Sequence, residues 1–516
     1  MVGVAVGQID AIAEPTVGGL GTQPRHEFPV VLVERGHPVE GAVLLRHGGE
    51  AVVGDAAAGR DMPEERHHLV HRLGAAEGHH DQGIDVIGFH APTLAVTPTG
   101  ATAPRWTAAR LGSAMLSTYT EVLRRPGVVA FVTAGFVGRL PISMIPLGIV
   151  LMVTAYGSNF AVAGALSAVY ALSAAVLGPW GARWMDRRGQ AAAAPPLLAL
   201  QVMGLLSFAA LVSTGRSPAL AAAALVVAGG CTPNIGSMVR ARWAAMLNGE
   251  PGLRSGFAVE GIIDEVIFIV GPPLVTVVAL RLSEPWALAL CAALATVGGL
   301  WLAAQRATQP APRRRTAGSA RQGFVSRGFV LVTAALAAMG AMFGAFEVTT
   351  VALTRELGHE GATGLVLALY AIGSLVTGLI FGARHAVASV PVQFAVAGVV
   401  LAVIVLPLPL VTSLPALAVA ACVAGMGVSP LLIMAVGLVE RLVPAARLTE
   451  ALTVTTSGLA VGLAVGAPVA GHLIDTVSAS AGYLVVVGGA AVAGLVSVAS
   501  MPVLRRSLAG PDESTP

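Results

Sequence analysis

One arginine and three carboxylates stand in text that offers them no water. Arg139 lies in GFVGRLPISMIP, and Glu260, Asp264 and Glu265 lie in FAVEGIIDEVIFIVG. A charge inside a bilayer is costly unless it pairs or faces a cavity. Leaving an arginine there alone costs far more than pairing it. At ~1.5 Å per helical residue, Arg139 falls near mid-depth of its segment, with Asp264 and Glu265 about one turn shallower. Where the two segments are neighbours, Arg139 is expected to pair with Asp264 or Glu265 beside a cavity. One carboxylate could then carry a proton, or the pair could be a static tie between helices. Glu260, with Arg240 or Arg242, is expected nearer the segment ends, as a surface or gate pairing. Glu347, in GAFEVTT near the end of a later segment, is a further candidate at a cavity mouth. Asp475 and His472 read as interfacial.

The elements that must hold these groups are long and apolar. The chain has 516 residues, 55% hydrophobic and 11% charged, with mean hydropathy +0.78. A soluble domain carries about 25% charged residues, so a water-soluble core is excluded. Twelve apolar segments are expected, over 128–150, 160–180, 192–213, 219–239, 257–280, 285–304, 328–350, 361–382, 392–410, 414–437, 452–474 and 480–503. Each is near the ~20 residues a membrane-crossing helix needs; barrel strands would be about half as long. Placing the start of the first segment in the cytoplasm leaves only Arg216, Arg281 and Arg355 among the segment-flanking arginines outside, as the positive-inside rule requires. Both termini are thus expected inside, in the plasma (inner) membrane.

The text repeats itself. Gly164, Ala168, Tyr170, Ala171 and Gly178 recur 200 residues later as Gly364, Ala368, Tyr370, Ala371 and Gly378. Gly181-Ala182-Arg183 returns as Gly382-Ala383-Arg384, one residue out of step. A duplicated membrane bundle is the sequence trace of a carrier whose halves rock about a central site. The expected division is an N-terminal region 1–112, a bundle over 115–305, a cytoplasmic linker 306–327, a second bundle over 328–505 and a tail 506–516.

The chain has no lysine; all 31 basic residues are arginine. A P-loop needs a lysine for the phosphates, and a retinal or PLP protein needs one for a Schiff base. Those classes are excluded, and any uphill movement of solute must draw on an ion gradient. Cys231, Cys291 and Cys422 all lie in apolar segments and read as small hydrophobes. Residues 1–112 hold nine of the twelve histidines and no span-length apolar run. His67 and His71 are spaced i, i+4, near His79 and His80, but no fixed second pair completes a metal site. This region is expected to be disordered, or upstream text of a mis-assigned start, with the working chain opening at Met115. Mass spectrometry of the native N-terminus tests that.

Two six-segment halves, a long basic central loop and a charged loop after segment two resemble the major facilitator superfamily. The loop reads Ala182-Arg183-Trp184-Met185-Asp186-Arg187-Arg188-Gly189-Gln190, against the family signature G-x-x-x-D-R-x-G-R-[RK]. Asp186, Arg187 and Gly189 match; Ala182 replaces the leading glycine and Gln190 an arginine. The resemblance covers about residues 115–505. It implies an all-α membrane protein of twelve transmembrane helices in two pseudo-symmetric six-helix bundles. It also implies that this loop latches the two bundles at the cytoplasmic face, and that helices one and five are neighbours. Gly271-Pro272-Pro273 is a fragment of the glycine-proline motif of the family's drug–proton antiporters, echoed by Gly466-Ala467-Pro468; the prolines bend their helices. The implied function is secondary active transport by alternating access. The form expected is proton-coupled efflux, antiporter-like and actinobacterial in type, with a sugar or metabolite importer and a non-transporting scaffold or sensor as rivals. No enzymatic activity, cofactor, metal or nucleic acid is expected. The expected partners are a small-molecule substrate, protons or another coupling ion, and the lipid bilayer, around a monomer.

Overall fold

A computed structural model describes residues 3–6, 29–33, 42–45, 51–54, 122–247, 252–311, 325–383, 389–444 and 447–508. His67, His71, His79, His80, Met115, Arg313–Arg315 and Arg384 lie outside the described residues. The chain divides into two compact units, Met1–Arg105 and Trp106–Pro516. In the first, four short strands, β1 (Gly3–Val6), β2 (Pro29–Val33), β3 (Ala42–Leu45) and β4 (Ala51–Gly54), form an antiparallel sheet in chain order.

Among the described residues, the second unit is helical, and twelve of its helices are long and apolar enough to cross a membrane. They are α1 (Val128–Ala155), α2 (Phe160–Arg188), α3 (Gln190–Ser213), α4 (Pro218–Met246), α5 (Ser255–Arg281), α6 (Glu284–Ala304), α7 (Arg327–Glu356), α8 (Glu360–Gly382), α9 (Val390–Leu410), α10 (Leu414–Leu442), α11 (Glu450–Thr476) and α12 (Ser480–Leu508). In hydrocarbon every backbone group must be satisfied within the segment, so such runs can only be helices. Their ends are written in the sequence. Asn159 and Ser326 accept backbone N–H groups at the starts of α2 and α7, and prolines begin α4, α6, α9 and α10, where the missing N–H costs nothing. Side chains such as Val176, Trp180, Trp286, Val419 and Leu495 stand exposed. An exposed apolar perimeter of this extent suits lipid.

The largest boundary difference from the sequence reading is at the end of α2. The helix α2 does not end near residue 180 but runs to Arg188, so Ala182, Asp186 and Arg187 are helical and the turn is Gly189 alone, at φ +84°. Charges end an apolar window, but they need not end a helix that projects beyond the hydrocarbon.

The odd-numbered helices begin at one face, the near face, and end at the other, the far face. α1–α6 and α7–α12 form two bundles that meet along two seams, α2 against α11 and α5 against α8. The repeat explains both. Gly164 of α2 lies on the backbone of Ala467-Pro468, and a Cβ there would stand 2.5 Å from the Ala467 carbonyl oxygen. Gly364 of α8 lies on Pro272-Pro273, with the same 2.5 Å to the Pro272 carbonyl oxygen. The preceding glycines face inward within each bundle: Gly271 abuts Ser143 of α1, and Gly466 abuts Ala341 of α7. In each half the glycine-proline fragment thus packs two ways at once, inward against its own bundle and outward across the seam.

Among the described residues, the two bundles share a core toward the far face. Val348, Val351 and Ala467 of the second bundle join the far-half core of the first. The near-half core of the first bundle, around Phe131, Trp243 and Leu302, contains no residue of the second among those described. Among the described residues, the packing core that the two bundles share thus lies toward the far face.

Candidate functional site

Arg139 sits at a joint. One helix ends at Arg139, and Pro141 starts the next within the same span. Helical side chains tilt toward the N-terminus, so the guanidinium drops toward the near face and its Nε donates to the Gly135 carbonyl at 3.1 Å. There Nη2 meets Glu260 Oε2 at 2.6 Å, and Nη1 donates to Asp264 Oδ1 at 2.9 Å. Trp243 Nε1 donates to the second oxygen of Glu260 at 2.9 Å. Arg240 pairs with the second oxygen of Asp264. Arg139, Glu260 and Trp243 are fully buried, whereas Asp264 is 38% and Arg240 47% exposed. The network runs from a dry core on α1, α4 and α5 out to water.

The expected pairing of Arg139 with Asp264 is present; its other partner is Glu260, not Glu265. Helix geometry gives the reason. Residues four apart share a face, while a five-residue step turns about 140° away. Glu260 and Asp264 therefore both face α1. Glu265 faces the other bundle instead: Ser429 of α10 donates to its Oε1 at 3.4 Å, and the Ser429 and Ser374 hydroxyls lie 2.7 Å apart.

The expected surface pairing of Glu260 with Arg240 or Arg242 is corrected by the same observations. Arg242 is fully buried and meets neutral acceptors: Gln190 Oε1 at 2.9 Å, the Leu302 carbonyl at 2.8 Å, the Gln305 carbonyl at 2.9 Å, and Thr308. Leu302 and Gln305 lie at the end of α6, whose last carbonyls lack intrahelical partners and carry the negative pole. Arg242 is thus a cap supplied by a neighbouring helix.

Glu347 stands about 14 Å in from the far end of α7 by residue count, deeper than a cavity mouth. Its Oε1 is buried and finds no hydrogen-bond partner among the described residues. One turn earlier Phe343, and beside it Phe346, meet the Tyr370 ring at centroid distances of 6.3 and 4.3 Å. The Tyr370 hydroxyl is also buried without a partner among the described residues. Its counterpart in the repeat, Tyr170, bonds Thr232 at 3.2 Å. The charges near mid-depth do not balance. Arg139 and Arg240 match Glu260 and Asp264, while Glu265 and Glu347 face no cation among the described residues.

At the near face, Asp186 and Arg187 are exposed and form no ion pair among the described residues. At the same face the helical turns that lead into α11 open at Leu448, with no side-chain cap hydrogen bond and with Glu450 in the first turn.

This geometry has known counterparts. A POT family transporter in complex with 5-aminolevulinic acid superposes with a TM-score of 0.58 at 12% identity, covering 73% of this chain and 96% of that one. The fold is that of the Major Facilitator Superfamily. Its family model matches residues 330–516, most of the second bundle. A point mutant of the nucleoside transporter NupG superposes at 0.55 with 13% identity over 72% of this chain and 99% of that one. A bacterial homologue of the iron transporter ferroportin in an inward-facing state superposes at 0.53 with 16% identity, over 75% and 99%. No curated protein matches the chain. At these identities the likeness carries the superfamily fold and not the solute. Within that fold, the sequence reading missed Glu260 and Trp243 as partners of Arg139. The i, i+4 spacing of Glu260 and Asp264 was the available signal. Nothing in the sequence marks Ser374 or Ser429.

Proposed function

We propose that the protein is a secondary transporter that moves a small molecule by alternating access, exporting it in exchange for protons. One observation carries this reading: two mid-depth carboxylates, Glu265 and Glu347, have no cationic partner among the described residues in a pair of bundles whose shared core lies toward the far face. A carboxylate with no cationic partner near mid-depth is costly to keep ionised, which favours taking up a proton or meeting a cationic group. Groups that trade one for the other couple a proton gradient to solute. Asp264, matched by two arginines, serves to hold Arg139 in place. The near face is cytoplasmic by the arginine distribution, and Asp186 and Arg187 form the cytoplasmic latch when that face closes. The protein works as a monomer in the plasma membrane.

The test is proton flux in liposomes loaded with a pH-sensitive dye. A panel of amphipathic amines, sugars and nucleosides is added under an imposed pH gradient. Dye response to at least one class, abolished in Glu265→Gln or Glu347→Gln and showing protons leaving the lumen as solute enters it, supports exchange. Silence across the panel from well-folded protein leaves a scaffold. Solute flux that ignores the gradient, unchanged in both variants, removes the coupling role.

A further inference from the structure

At the extracellular end of the α2/α11 seam, one half of the chain caps a helix of the other. Asp475, on the last turn of α11, accepts the N–H of Phe160 through Oδ1 at 2.9 Å and the N–H of Ala161 through Oδ2 at 2.8 Å. Asn159 accepts the next N–H, from Val162, at 2.9 Å. The first N–H groups of a helix have no partner inside it, and its positive pole favours a carboxylate. Here two of those donors are satisfied from the opposite bundle. Just beneath, Gly471 presses on the Phe160 carbonyl and Gly164 on Ala467, so the cap sits on a backbone-to-backbone contact that leaves no room for a side chain.

The cytoplasmic end of the same two helices carries the same parts reversed. Asp186 stands on the last turn of α2, exposed and without an ion pair among the described residues, and α11 begins without a side-chain cap. We propose that Asp475 is the extracellular latch of the carrier. It is made while the protein is open to the cytoplasm, broken when it opens outward, and alternates with Asp186. Because α2 and α11 run antiparallel, each helix ends in an aspartate at the face where the other begins, and rocking about mid-seam would make one contact as it breaks the other. This inference rests on the alternating-access reading for its purpose, but not for its test.

The test measures spin-label distances in lipid nanodiscs with no solute, on a background in which the three cysteines are replaced. Arg216→Cys with Thr412→Cys reports the extracellular face, and Arg188→Cys with Arg441→Cys the cytoplasmic face; all four positions are exposed. Asp475→Ala is expected to raise the ratio of outward-open to inward-open populations about five-fold, the equivalent of one lost helix cap. Extracellular distances lengthen and cytoplasmic distances shorten together. Asp475→Asn, which keeps one acceptor, falls between and covers the case in which the alanine variant does not fold. Asp186→Ala shifts both pairs the other way. Gly471→Ala, whose new methyl meets the Phe160 carbonyl, opens the same end with Asp475 intact. Unchanged distances in Asp475→Ala and Asp475→Asn, with a shift in Gly471→Ala, overturn the latch, as does a loss of stability without a change in distances. A carrier that shows no solute flux at all leaves this measurement standing.

Discussion

Arg139 shows how a single residue imposes a network. Its guanidinium cannot stay alone in the dry near half of the first bundle, so it recruits Glu260 and Asp264, and Glu260 in turn takes the indole N–H of Trp243. Removing one partner of a buried pair typically costs about 3–5 kcal/mol, because the other is left unmatched. Arg139→Ala is therefore expected to lower the thermal midpoint of the detergent-solubilised protein sharply, and Arg139→Ala with Glu260→Gln to recover part of that loss. A double variant no more stable than the single one would mean that the pair does not act as a unit. Arg242 is a different case, a buried cation held by neutral carbonyls at a helix end. Arg242→Met keeps the apolar stem but leaves those carbonyls uncapped. A lower midpoint follows, with no shift in the spin-label distances, since every contact lies inside one bundle.

At the scale of elements, the repeat is a record of where helices cross. Gly164 and Gly364 recur because each bears on the backbone of a proline-containing stretch of a helix from the other bundle. Gly178 also recurs, as Gly378, yet a Cβ at Gly178 meets nothing within 4 Å. The two positions should part company under substitution. Gly178→Ala is expected to be neutral or to stabilise by about 0.5–1 kcal/mol, the usual gain of alanine over glycine in a helix. Gly164→Ala is expected to destabilise the packing at the far face by about 1–3 kcal/mol, the cost of overpacking. Melting of the two variants side by side checks this, and equal midpoints would remove the seam account of the repeat.

At the scale of the whole molecule, both loops that the arginine pattern assigns to the cytoplasm must lie on one side of the bilayer. Reporter fusions after Gly189 and after Thr316 should report the cytoplasm, and fusions after Gly215 and Gly358 the outside. Any other result breaks the count of twelve. That count, the two halves and the candidate charges were legible in the sequence, because apolar length, arginine bias and repetition are one-dimensional signals written directly into the chain. Even the Arg139–Glu260 pair was within reach, through the i, i+4 spacing of Glu260 and Asp264. Other features belong to the tertiary structure alone. Ser429 beside Glu265, Arg242 on the end of α6, and Asp475 on the start of α2 join residues 164, 60 to 63 and 314 to 315 positions apart. A local pattern fixes which face a side chain takes on its own helix. Which helix it then meets, and toward which end two bundles share a core, is decided only when the helices pack.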